Sequence, residues 1–375
     1  MLIKNALVYT DSHTFEKGSI FIDNGRIQKI PGNINGQEQI DADGLMAIPG
    51  LVDIHLHGAA GYDFCNTDIE GFNKIAGYEA ENGILAICMA TMAYHEEKLA
   101  DIMDMVAGYK GGYGADLIGI NMEGPFINPG KTGAQNPEYL MLPDKEMFMR
   151  LQKRSGGIIK FIDLAPELPG AEEFIKDCSR DVNISLAHTM CSYDTAMSAF
   201  LNGARHVTHL YNAMPGINHR NPGPVVAAAE AGAEVELITD NIHIHPAMVR
   251  FTFRMSGADN VIFISDSMEA TGLPDGEYML GGQEVLVDGG RAVLKQNPDI
   301  IAGSTTNLFD CMKTAVLQMG IPAGQAVQAA TQNPAKAAGV EKDYGSLSEG
   351  HYGNVILIDK KFNIHKVIQK GKVLK

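Results

Sequence analysis

No apolar run in these 375 residues reaches the roughly 18 that a membrane-spanning helix needs. Cysteine is sparse and unpaired in pattern. The five present (Cys65, Cys88, Cys178, Cys191, Cys311) form no CxxC motif. An odd, scattered set fits a reducing cytoplasm and argues against a disulfide framework. Positive charge is in deficit: 30 Lys and Arg face 45 Asp and Glu, a formal net charge of −15. That argues against nucleic acid or an anionic membrane as partner, but not against a small anionic substrate, which needs only local donors. Low-complexity tracts and short-period repeats are absent. The segment Met1 to Thr10 reads as a strand with Lys4 and Asn5 inside it, not as a signal peptide. What remains is a globular composition, 45% hydrophobic and 20% charged, with length for one large domain and a small one.

The two ends of the chain resemble each other and differ from the middle. Leu2 to Tyr9, Gly18 to Asp23 and Arg26 to Ile30 are predicted strands, and Asn24-Gly25 is the signature of a type I′ hairpin turn, which needs positive φ at both positions. Asn354 to Ile358 and Lys366 to Lys370 are predicted strands at the far end. Neither end has apolar residues enough for its own core, so both are expected to build one small β-sandwich domain, 1–48 with 350–375. In the middle, residues 49–349, short apolar strands alternate with helical segments. The strands are Ala47 to Ile54, Ile84 to Ala90, Leu117 to Met122, Ile159 to Leu164, Val182 to Ala187, His206 to Leu210, Val235 to Thr239 and Val261 to Ser265. Eight strands in βα alternation predict a TIM-like (β/α)₈ barrel. A doubly wound open sheet is the competing arrangement, and it would place ligands at one switch point instead of at most strand ends. Gly272 to Asn297, rich in glycine, reads as a long excursion with a hairpin after the eighth strand.

Residues that bind metal or move protons recur where these strands end: His55 and His57, Glu123, His188, His209 and Asp266. Strand ends meet on one face of a parallel barrel, so scattered positions become one site. His55 and His57 are two apart and share a strand face, with Cα atoms roughly 6.5 Å apart. A lone HxH is equally well a polar strand end, and a single histidine is more often a satisfied core or rim residue. Glu123 ends an apolar strand, where a carboxylate is costly to bury unless paired or bound to a cation. Together the four histidines and the glutamate offer the N and O ligands that zinc, iron or manganese accept. Asp266 stands at the last strand, where an acid can carry a proton to a leaving group; the alternative is a turn-capping aspartate. His243, beside Pro246 at a helix start, is assigned to substrate before metal.

With these residues go longer stretches: Pro49-Gly50-Leu51-Val52-Asp53-Ile54-His55-Leu56-His57-Gly58, Met122-Glu123-Gly124-Pro125-Phe126, Ala187-His188-Thr189, Thr208-His209-Leu210-Tyr211-Asn212-Ala213-Met214, Asp240-Asn241-Ile242-His243 and Ser265-Asp266. Over nearly its whole length the chain resembles the amidohydrolase superfamily and, within it, the N-acetylglucosamine-6-phosphate deacetylase family. The resemblance implies a divalent ion, zinc or iron, held principally by Glu123, His188 and His209, with His55 and His57 able to hold a second. It implies Asp266 as general acid/base, backbone N–H groups of Asn212 and Ala213 on the substrate phosphate, and Arg220 reaching a neighbouring site across a homodimer. His243 would contact the sugar or its phosphate, and Ala302, Gly303 and Ser304 would line the pocket. Gly133-Ala134-Gln135-Asn136 puts Ala134 and Gln135 on a substrate-facing loop, with Gln135 where some relatives carry a histidine. The expected reaction is deacetylation of N-acetylglucosamine 6-phosphate in the cytoplasm. The alternatives are another N-acyl amino sugar, a cyclic amide, or a non-catalytic sugar-phosphate-binding scaffold.

Overall fold

Eight parallel strands follow one another in chain order around a barrel in the computed structural model, which describes residues 1–32, 38–112 and 114–375. They are β1 (Leu51–Leu56), β2 (Ile84–Ala90), β3 (Asp116–Glu123), β4 (Ile159–Leu164), β5 (Asn183–Leu186), β6 (His206–Val207), β7 (Glu234–Ile238) and β8 (Val261–Ile264). Every residue of β1 and β2 is buried, as expected when helices cover one side of a parallel sheet and side chains fill the other. Just beyond the strand ends, β8 returns to β1: the Asp266 N–H donates to the His55 carbonyl (2.9 Å) and the His57 N–H to that of Ser267 (2.8 Å). The buried Asp53 carboxylate adds to this seam by accepting the N–H groups of His55 (3.2 Å) and Ser265 (3.3 Å). This is the predicted barrel, and no open switch point is left.

Register gives the barrel one unusual feature. Glu123 pairs with Asp163, Asp163 with Ser185, Ser185 with His206, and His206 with Glu234. Because barrel strands are staggered, this polar row begins at the last residue of β3 and ends at the first residue of β7. It therefore runs from the C-terminal mouth of the barrel toward its N-terminal floor.

Both ends of the chain meet in a second, eight-stranded sheet. Its strands are Leu2–Tyr9, Phe15–Asp23, Arg26–Gln28, Gln39–Asp41, Met46–Pro49, Val355–Ile358, Ile364–Gln369 and Lys372–Val373. Asn24 (φ 48°) and Gly25 (φ 77°) form the predicted turn. One predicted strand needs correction. Ala47 to Ile54 is not continuous: Met46–Pro49 belongs to the terminal sheet, pairing with Val355–Ile358, and β1 starts at Leu51. Both pieces are wholly buried, so the apolar run shows no break. The break is Gly50, whose N–H donates to the Asn354 carbonyl (3.0 Å) and whose missing side chain admits Leu85. The predicted excursion after β8 is larger than a hairpin: Gly276–Leu280, Gln283–Asp288, Arg291–Leu294 and Asn297–Ile301 form a four-stranded antiparallel sheet.

A Cβ built on Gly50 would lie 2.7 Å from Leu85 Cδ1, in a wall that is fully buried. Gly50→Ala is therefore expected to lower stability by about 1–3 kcal/mol. Gly108→Ala, at an exposed helix end with nothing within 4 Å, should be neutral or raise it by up to ~1 kcal/mol. Urea midpoints of the two variants test this; equal midpoints would remove Gly50 as the point where the two sheets part.

Candidate metal centre

The barrel mouth is set by where the strands stop. Glu123 is the last residue of β3, and Gly124 (φ 75°) turns the chain away at once. His188, His209 and Asp266 lie just past β5, β6 and β8, each with positive φ (44°, 31° and 49°). That left-handed twist ends the strand and tips each side chain over the opening. His, Asn and Asp enter this region more readily than most residues, which is one local reason these types can stand here.

Glu123, His188 and His209 converge tightly. The Glu123 Oε1 lies 3.0 Å from His188 Nε2 and 3.1 Å from His209 Nε2, and the two nitrogens are 3.2 Å apart. An ion with bonds of about 2.1 Å holds its ligand atoms roughly 3.0–3.4 Å from one another, so this triangle has the dimensions of a coordination face. The His188 Nδ1 faces the Lys131 carbonyl at 2.8 Å. A proton there leaves the Nε2 lone pair free for a cation. His55, His57 and Asp266 form a second group. His57 Nε2 stands 3.3 Å from Asp266 Oδ1 and 3.4 Å from Glu123 Oε2, and His55 Nε2 stands 3.8 Å from Asp266 Oδ1. His55 Nε2 is buried without a hydrogen-bond partner, an orphaned nitrogen that a cation would satisfy. The donor set thus fits one or two divalent ions bound through N and O.

Electrostatics support that fit. Burial alone would raise the Glu123 carboxyl, yet hydrogen bonds with His188 and His209 and the nearby His55 hold it well below its usual value. Burial opposes Asp266 in the same way, and His57, then His55 and His209, pull it down. Burial opposes protonation of His55, but Glu236, then Glu123 and Asp266, raise it well above an ordinary imidazole. The pocket is therefore arranged to gather positive charge around carboxylates.

Five of the six predicted residues, all but the deeper His55, line one cavity of about 470 Å³. Ala134, Gln135, Asn212, Ala213, His243 and Gly303 line it as well. The contacts of the predicted substrate-facing residues differ from one another. Gln135 Nε2 donates to Glu123 Oε2 (2.5 Å) while its Oε1 accepts from the Ala93 N–H (2.7 Å), so both ends of its amide are occupied. The Asn212 N–H donates to the His209 carbonyl (2.9 Å), whereas that of Ala213 makes no bond among the described residues. Ala302 and Ser304 do not reach the cavity. The Ser304 N–H instead donates to the Asp266 carbonyl (2.7 Å) and its hydroxyl to that of Ser265 (2.6 Å). Arg220 is exposed and does not line its own chain's cavity. His243 Nδ1 is held 2.7 Å from Asp240 Oδ2.

The family profile described as amidohydrolase matches residues 46–374. The chain belongs to the amidohydrolase family. An N-acetylglucosamine-6-phosphate deacetylase from Bacillus subtilis (strain 168) is 30% identical, with 100% of this chain and 96% of that one aligned. An N-acetylgalactosamine-6-phosphate deacetylase from Escherichia coli O157:H7 is 29% identical over 92% of this chain and 91% of its own. Among solved structures, N-acetyl-D-glucosamine-6-phosphate deacetylase from Mycobacterium smegmatis, an Asp-to-Ala variant in complex with N-acetyl-D-glucosamine-6-phosphate, superposes with a TM-score of 0.91 at 28% identity, covering 100% of this chain and 98% of that one. Amidohydrolases are metal-dependent hydrolases, in keeping with the donor set above.

Two acidic residues of the site escaped the sequence reading. Glu236, in the middle of β7, is fully buried: its Oε2 lies 3.3 Å from His55 Nδ1 and accepts the His209 N–H (3.1 Å), and its Oε1 lies 3.0 Å from His206 Nε2. Asp163 on β4 lies beside Glu123, with its carboxyl pushed up to about 7 by burial first. The signal was available, since Val235-Glu236-Leu237 and Ile162-Asp163-Leu164 each bury a charge inside an apolar strand. Partners that orient a ligand typically carry 10–100-fold in metal affinity. Glu236→Gln, which keeps shape and loses charge, is expected to cost about that much on the His55 side. Metal per chain after dialysis against a competing chelator measures it; retention equal to the parent would refute the orienting role.

Proposed function

We propose that the chain hydrolyses the acetamide of N-acetyl-D-glucosamine 6-phosphate, giving D-glucosamine 6-phosphate and acetate. The observation that carries this is the Asp266 carboxylate, 3.3 Å from His57 and at the edge of the Glu123, His188 and His209 cluster, inside a cavity of about 470 Å³. A divalent ion held by Glu123, His188 and His209, zinc or iron on this donor set and joined by a second at His55 and His57, would supply Lewis acidity to the amide carbonyl and acidify water. Asp266 then takes the proton from the water whose oxygen attacks the carbonyl carbon. It gives that proton to the nitrogen as the C–N bond breaks, because an amine leaves readily only when protonated. Gln135 keeps Glu123 from rotating. His243, fixed by Asp240, faces the sugar.

The Ala213 N–H, which makes no bond among the described residues, is the backbone donor for the phosphate. Arg220, exposed on its own chain, serves the neighbouring site of a homodimer, where its fork matches phosphate oxygens. The phosphate supplies binding energy remote from the reacting amide. Among the described residues no helix is long and apolar enough to cross a membrane, and five buried free cysteines fit the reducing cytoplasm as the place of action.

Acetate release from N-acetylglucosamine 6-phosphate, from its unphosphorylated sugar and from N-acetylgalactosamine 6-phosphate tests the reading. Turnover should require the phosphate, stop with a chelator and return with zinc or iron. A preference for the galacto epimer would reassign the substrate, and no release from metal-loaded protein would send the search to other amides. Asp266→Asn should lower kcat by about 10²–10⁴-fold while substrate still binds; near-normal kcat would remove Asp266 from its role.

A further inference from the structure

A second cavity, of about 400 Å³, opens at the floor of the barrel, at the opposite ends of the strands from the metal centre. It is built where β4, β5, β6 and β7 begin. Lys160 stands in β4, Arg180 and Asn183 come from the entry to β5, Arg205 directly precedes β6, Glu234 begins β7, and Lys336 comes from the helix Gln332–Ala337. Four cations thus converge in a chain whose net charge is −15. Three other arginines find carboxylates: Arg26 binds Asp343 at 2.8 Å, and Arg150 binds Glu96 and Arg154 binds Asp104, each at 2.6 Å. Lys160, Arg180, Arg205 and Lys336 have no carboxylate within 4.0 Å among the described residues. The acids that share the cavity are Asp181, which is exposed, and Glu234, whose Oε2 is turned to His206 at 3.2 Å.

A separate observation points to a ligand. Asn183 is 2% exposed and lines this cavity. Its Oδ1 accepts from Arg205 Nε (3.2 Å), but its Nδ2 is buried with no hydrogen-bond partner. Through that Oδ1 the buried amide fixes the guanidinium at the cavity wall. Arg205 is held by Nε, so its other nitrogens remain available as a fork for phosphate oxygens.

We infer that this basal cavity is a binding site for a small phosphate-bearing molecule, separate from the substrate pocket. Its volume is within the range of small-ligand sites. Inorganic phosphate is the probe. Lysine acylation read by mass spectrometry locates its binding, because the substrate pocket holds neither Lys160 nor Lys336. Millimolar phosphate should protect Lys160 and Lys336 but leave exposed Lys153 unchanged. The half-protecting concentration should rise at least tenfold in Arg180→Ala/Arg205→Ala, and severalfold in Arg180→Ala alone, which removes only an exposed side chain. Acetate release without phosphate should be unchanged in both. Labelling indifferent to phosphate, or protection that survives loss of Arg180 in a folded, active variant, would overturn the inference.

Discussion

Glu123 is a carboxylate with almost no water to solvate it, and the rest of the site follows from that. An uncompensated ion at such a depth costs several kcal/mol even after the protein relaxes. The chain brings His188 and His209 to one oxygen, Gln135 and His57 to the other, and leaves ligand atoms spaced for a cation. Each compensating group comes from a different segment. The βα alternation, the strand lengths and the left-handed exits all have to agree before the charge is tolerable. The metal centre is thus a constraint on the fold as much as a product of it.

The barrel and most of the polar side chains at its rim were legible in the sequence because their signals are local. An apolar run followed by His, Glu or Asp marks a strand end without any tertiary information, and Ile84–Ala90 and Ile159–Leu164 stand where the pattern placed them. Gly50 was less legible. Two buried strands in different sheets read as one run, and only the missing Cβ beside Leu85 separates them. Gln135 was assigned by its place in a loop, but what its amide bonds to depends on Ala93 and Glu123, which are 42 and 12 residues away. Glu236 and Asp163 were hidden for a similar reason: a charge inside an apolar strand announces that a partner exists, not which one.

The polar row of the barrel gives the lumen a continuous character that a packed apolar interior would lack. Glu234 and Glu236 flank His206, and Glu236 in turn reaches His55. Through these contacts the floor of the barrel is joined to the mouth by hydrogen-bonded side chains instead of by packing alone. Burial opposes protonation of His206, but its two glutamates raise it to about 9, so a charged imidazole between two acids is the stable arrangement at neutral pH. Such a chain resists repacking, because removing one member strands the charge of the next.

The left-handed backbone at His188, His209 and Asp266 has a consequence for how this site can change over generations. A non-glycine residue held in that region costs on the order of 1–3 kcal/mol, and His, Asn and Asp bear it more easily than most. Metal binding and proton transfer ask for nearly the same short list of side chains. Chemistry and backbone therefore filter mutations together, and few substitutions pass both. Loop positions around the cavity, Tyr211 (φ 79°) and Ala213 (φ 52°) among them, answer to the backbone but not to ligand chemistry. Change of substrate is open to them, while the rim of the barrel is confined to a very small alphabet.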